Sequence, residues 1–412
     1  MSYKILTAAA AALLLAACGQ SGDVSAPTID VDNDAKALGI ALSSIIVDTH
    51  IDVPYRLGKN PDDISQRTSS GDFDYPRAVS GGLNVAFMSI YTPAALEASG
   101  GSKQAADGFI DMVEGFVEQS PDKFALALSP ADVRNQFAAG LISLPMGMEN
   151  GSPIEGDLSN LQYFFDRGIR YITLTHSLSN HISDSSYDTH HQWNGVSEFG
   201  IEVIREMNRL GIMVDVSHVS DEAFWQIIEL SEVPVIASHS SARHFTPGFE
   251  RNMSDDMIIA LADNGGVLQI NFGSTFVTKI AREYSDMRST AQKKYAAEHP
   301  DLPETELNRV YPAIYAAAHG PLPYATVGDV LDHFDHVVSL TSIDNVGIGS
   351  DFDGVGDSLP VGLKDVATYP NLIKGLLERG YSEGEIRKIL GGNLLRVWQV
   401  AADYAATTSS KM

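Results

Sequence analysis

His50 and Asp52 stand two residues apart just after a short apolar run. In an extended chain residues i and i+2 point to the same side, so both side chains can meet one ion. The same kind of ending recurs along the sequence, where Glu149, His176, His218, His239 and Asp351 each follow an apolar run. One histidine after a strand is more often a structural hydrogen-bonding group than a ligand. Repetition along the whole chain is not explained that way. A donor set of His, Asp and Glu without cysteine suits zinc or another borderline divalent ion in an open, catalytic site. Two ions need a bridging carboxylate, and Glu149 is the one glutamate in the set. The ligands then divide as His50, Asp52 and Glu149 on one ion, and Glu149, His218 and His239 on the other. A close pair of ions lowers the pKa of a bridging water and polarises a carbonyl. The chemistry expected of these residues is hydrolysis by a metal-bridging hydroxide.

The elements that must position them are short apolar runs at 45–47, 85–90, 141–144, 170–174, 212–216, 233–237, 266–270 and 345–348. Each is continuous rather than alternating, as strands buried on both faces of a parallel sheet are. Amphipathic stretches separate them. In 197–210, Phe199, Val203, Met207 and Leu210 share one face and Gly211 follows the end. Ser254 is a plausible N-cap, with Asp255 and Asp256 in the first turn. Eight strands alternating with helices predict an α/β fold, a TIM-like (β/α)8 barrel, whose active site lies at the carboxyl ends of the strands. The connection at about 273–324 is far longer than usual and mixes helix-like sequence with Pro300, Pro303, Pro321 and Pro323. It is expected to be a helical insertion after strand seven, near the barrel mouth. A single domain is expected over 41–405, closed by helices from about Ser382.

With 53 Asp+Glu against 28 Lys+Arg, the net charge is −25, which argues against binding nucleic acid or anionic lipid by electrostatics. Cys18 is the single cysteine, so no intrachain disulfide and no cysteine-based zinc site can form. No Gly-x-Ser-x-Gly elbow is present to support a serine nucleophile. Residues 1–17 read as a signal peptide ending Leu15-Ala16-Ala17-Cys18. That ending resembles a bacterial lipobox, so Cys18 is the expected lipidation site, followed by a flexible tether to about residue 40. The expected location is the bacterial cell envelope, lipid-anchored, with no membrane contact beyond the anchor. Gly19 rather than Asp after the cysteine favours a periplasm-facing outer membrane in a Gram-negative host.

The blocks Val47-Asp48-Thr49-His50-Ile51-Asp52, Met148-Glu149-Asn150-Gly151, Tyr171-Ile172-Thr173-Leu174-Thr175-His176, Asp215-Val216-Ser217-His218, Ala237-Ser238-His239-Ser240-Ser241 and Gly349-Ser350-Asp351-Phe352-Asp353-Gly354 stand in one order over about 45–400. Together they resemble the renal (membrane) dipeptidase family of binuclear zinc peptidases. The resemblance implies two Zn2+ per chain, a homodimer and hydrolysis of dipeptides, including in some members those with D-residues. His50, Asp52, Glu149, His218 and His239 match the family's zinc ligands, with Glu149 bridging. His176 matches the active-site histidine near the scissile carbonyl. Arg251 matches the arginine for the substrate's carboxylate, and Asp351 the acid that meets its amino group and shuttles the proton. Two departures stand out: Glu149-Asn150-Gly151 replaces the more usual Glu-Gly-Gly, and the mammalian enzymes lack the insertion. Competing readings are another amidohydrolase-like barrel and a solute-binding or inactive lipoprotein. The first typically begins His-x-His with a carboxylated lysine, and the second predicts a lost ligand position.

Overall fold

The structure is a computed structural model that describes residues 31–409. Cys18 and the signal segment lie outside the described residues. Eight barrel strands run in chain order: β1 (Val47–Ile51), β2 (Val85–Tyr91), β3 (Met146–Glu149), β4 (Ile169–Thr173), β5 (Met213–Asp215), β6 (Ile236–Ser240), β7 (Val267–Ile270) and β8 (Val346–Ile348). Sequential neighbours pair in parallel from β1 to β8. The ring closes just beyond the strand ends, where Asp351 N–H donates to His50 O at 3.1 Å and Asp52 N–H to Phe352 O at 2.9 Å. The expected barrel is the one observed.

Helices start and stop where local chemistry requires. Ser197 caps Glu198–Leu210 by accepting from Gly200 N–H, and Gly211 ends it in the left-handed region at φ 80°. Ser254 caps Asp255–Asp263 by accepting from Met257 N–H. The final helix, Asn393–Ser409, brings Leu394, Leu395 and Trp398 against Val47, Phe87 and Tyr171. Trp398 lies 5.4 Å from Phe87, itself 5.4 Å from Tyr171. That apolar stack packs against the first residues of the strands, at the end of the barrel opposite their carboxyl ends.

Two expectations need correction. The run at 141–144 supplies only a two-residue strand, Ile142–Ser143, which pairs with the start of β2. The third barrel strand comes after Pro145. It contains Gly147, a poor strand former that hides the strand's apolar pattern. Nor does the tether reach residue 40: Val31–Ser43 is a helix that buries Ala37, Ile40 and Ala41, and Asp34 pairs with Lys374 at 2.7 Å. Its buried positions recur at i, i+3 and i+4, a helical period in a segment read for its polar composition.

After β7 the chain forms Ser274–Val277, then the helices Lys279–Glu298 and Glu304–His319. These two share a small core of Tyr284, Leu307, Tyr311 and Tyr315. Among the described residues no helix is long and apolar enough to cross a membrane.

Candidate metal centre

His50 lies within β1, Glu149 and His239 in β3 and β6, and His176, His218 and Asp351 three residues beyond β4, β5 and β8. Register places Tyr91, Glu149, Thr173 and Asp215 at one level across β2 to β5. His218 and Asp351 adopt φ of 70° and 63°, a conformation that costs a residue with a β-carbon. Asn150 does so too at φ 80°, and its side chain meets Thr92 O and Ser152 N–H at 3.0 and 3.2 Å. Asn tolerates the left-handed region better than most residues, which explains how it stands where glycine is usual.

Glu149 sits at the centre of the cluster. Its Oε2 is 3.4 Å from His50 Nε2, and its Oε1 is 3.2 Å from His218 Nε2 and 3.4 Å from His239 Nε2. Asp52 Oδ2 lies 3.5 Å from His50 Nε2. All five sequence-predicted ligands therefore converge. His176 Nε2 comes equally close to Glu149 Oε1, at 3.4 Å, and Asp351 groups with His50 and Asp52. Proximity to the centre does not separate these two from the five expected ligands.

The surrounding hydrogen bonds prepare the imidazoles for an ion. Ser238 Oγ donates to Asp215 Oδ2 at 2.6 Å and so accepts from His239 Nδ1 at 2.8 Å, leaving the lone pair on Nε2. His239 Nε2 in turn faces His218 Nε2 at 2.9 Å. His50 Nε2 is buried without a hydrogen bond and aims at two carboxylates. Buried nitrogens so placed fit a divalent cation. Burial opposes charge on Glu149, but His50, His176, His218 and His239 outweigh it and hold the carboxyl well below its usual range. Burial likewise opposes charge on His50, yet Tyr171, Glu149 and Asp52 raise its pKa. Burial, together with Arg251, lowers both His218 and His239. Asp351, raised chiefly by burial, accepts from Asn271 Nδ2 at 2.7 Å.

Arg251 is buried beside this cluster. Its two terminal nitrogens donate to Ser240 Oγ at 2.6 Å and His239 O at 2.7 Å, while Nε has no partner among the described residues. The cluster opens into a cleft of about 1270 Å³ walled by Tyr91, Tyr187, Tyr284, Arg288 and Pro312, the last three from the insertion. Tyr91 and Tyr187 escaped the sequence reading. So did Asn271, Ser238 and Asp215 as positioning groups, although the last two stand inside the blocks quoted above.

Fold and donor cluster together define a metal-dependent barrel hydrolase. Residues 34–412 match the family described as membrane dipeptidase (peptidase family M19). An uncharacterized dipeptidase of Schizosaccharomyces pombe is 31% identical over 374 residues, 87% of this chain and 81% of that protein. Dipeptidase aclJ of Aspergillus oryzae is 32% identical over 334 residues, 79% of this chain and 69% of that protein. The crystal structure of the probable dipeptidase PvdM from Pseudomonas aeruginosa has a TM-score of 0.79 at 26% identity, covering 91% of this chain and 99% of that one. This chain belongs to the membrane dipeptidase family, and its activity is that of a metallopeptidase acting on dipeptides.

Proposed function

We propose that the chain is a zinc-dependent dipeptidase in which Glu149 bridges two ions, completed by His50 and Asp52 on one side and by His218 and His239 on the other. The observation that carries this reading is the division of the Glu149 carboxylate, one oxygen facing His50 and the other facing His218 and His239. Two divalent ions held there would polarise the scissile carbonyl and lower the pKa of a water between them. The side chains do the rest. His176 hydrogen-bonds the oxygen on which charge develops. Arg251 receives the substrate's terminal carboxylate, a task suited to its planar fork. Asp351 receives the free ammonium and carries the proton towards the leaving amine. Readers at both ends measure substrate length, and the proposed substrates include dipeptides with a C-terminal D-residue, as the resemblance to the family implies.

Hydrolysis of L,L- and L,D-dipeptides against one tripeptide, with and without a chelator, tests this. Dipeptides alone should turn over, chelation should abolish the activity, and zinc should restore it. Comparable tripeptide turnover, or activity indifferent to metal, overturns the reading. The proposal extends to a lipid on Cys18 that holds the chain in the cell envelope, supported by the Leu15-Ala16-Ala17-Cys18 ending, and to a homodimer, supported by the resemblance to the family. Mass spectrometry of the mature N-terminus should find a diacylglyceryl Cys18, and an intact Met1 would contradict it.

A further inference from the structure

A second group of imidazole and carboxylate donors lies outside the catalytic cluster. Beyond β6 the chain makes a short turn, Arg243–Phe245, passes through Arg251 and returns at Ser254, the cap of helix Asp255–Asp263. The ends of this loop are tied where Arg243 N–H donates to Met253 O at 2.8 Å. Helix Val327–Leu340 supplies two histidines to the same region. His333 is fully buried and already occupied, accepting from Ala242 N–H at 3.0 Å and contacting Val277 O at 3.0 Å. His336, one turn later on the same face, places Nε2 2.8 Å from Asp255 Oδ1. The ring of His244 stacks on that of His336, with centroids 4.4 Å apart and planes at 25°. Phe245 packs against both rings, at 4.9 and 5.5 Å.

We propose that His244, Asp255 and His336 form a divalent-metal site that staples the two ends of the loop bearing Arg251. One donor atom from each residue lies within 4.8 Å of the other two. Ligands about 2.1 Å from a tetrahedral zinc ion stand roughly 3.4 Å apart, so a small side-chain rotation closes the set. Two imidazoles and one carboxylate select zinc, nickel, cobalt or copper over the hard, oxygen-seeking ions. The three residues come from three separate segments, so one ion cross-links turn, helix start and neighbouring helix. Water completes the coordination, because His244 is exposed.

Metal counting on the zinc-loaded protein, with His244→Ala and His336→Gln measured beside the unaltered chain, tests the site. Each variant should carry one equivalent fewer while retaining dipeptide turnover. Added zinc or nickel should raise the melting temperature of the unaltered chain and not of either variant. Equal metal content in all three proteins overturns the proposal, as does a thermal response that survives both substitutions. Two variants on different segments separate loss of the ion from a folding defect in one of them.

Discussion

A β-carbon on Gly147 would lie 1.9 Å from Cζ of Tyr171, so the glycine in β3 is the space into which the tyrosine ring from β4 fits. Seated there, the hydroxyl donates to Thr49 O at 2.9 Å and lies 2.8 Å from Nδ1 of His50. Its one proton is committed to Thr49, so it accepts from His50 Nδ1–H, which leaves Nε2 as the nitrogen turned toward an ion. Tyr171→Phe keeps the packing and removes that acceptor. Metal affinity should fall by roughly 10–100-fold, the range for lost supporting partners of a ligand. Chelator competition measures it, and unchanged affinity would remove Tyr171 from the ligand-orienting role.

Glu149→Gln should lose one or both ions along with nearly all turnover, because an amide offers one oxygen and a nitrogen that is no ligand. His176→Ala should keep its metals and lose kcat, typically on the order of 100–1000-fold for an oxyanion donor. The two residues touch at 3.4 Å, so proximity predicts the same phenotype for both and chemistry predicts different ones. Metal content alongside kcat decides between them.

Gly354 stands against two carboxylates at once. A β-carbon there would fall 2.2 Å from both Asp351 Oδ1 and Asp52 Oδ2. Gly354→Ala must displace one of them, and misplacement by about 1 Å can cost on the order of 100-fold in rate. We expect a loss of that size in kcat/KM from a folded protein. Wild-type kinetics would show that the two carboxylates have slack.

Asp72 and Asp353 exchange hydrogen bonds, each N–H donating to the other's carboxylate at 2.7 and 2.8 Å. Burial, then the charge of Asp353, raises the Asp72 carboxyl from 3.8 to about 6. A carboxyl raised in the folded state holds its proton there more tightly than when unfolded. Its ionisation therefore penalises folding as pH rises between those two values, with the penalty complete above about 6. Asp72→Asn should raise the melting temperature at pH 8 and leave it nearly unchanged at pH 4. Thermal melts at the two pH values check the sign, and destabilisation at pH 8 refutes it.

Much of the site was legible in order along the chain. Apolar runs ending in His50, Glu149, His176, His218, His239 and Asp351 announce parallel strands with donors at one end, because strand burial and side-chain period are local properties. The Gly211 stop, the Ser254 cap and the insertion after β7 are local in the same sense, and all three are observed. The third strand was misplaced because its glycine answers to a ring on the neighbouring strand, not to strand propensity. What only the tertiary structure decided is how the donors face one another. His50 and Tyr171 are 121 positions apart and Thr49 and Ser238 are 189 apart, yet each pair is hydrogen-bonded. Barrel closure and cross-strand register set those contacts, and they turn Oε2 of Glu149 toward His50 and Oε1 toward His218 and His239. Spacing along a chain carries no record of register between strands, which is why the donors and their division around Glu149 could be named from the sequence, while the groups that orient them, Tyr171 on His50 and Ser238 on His239, had to be seen.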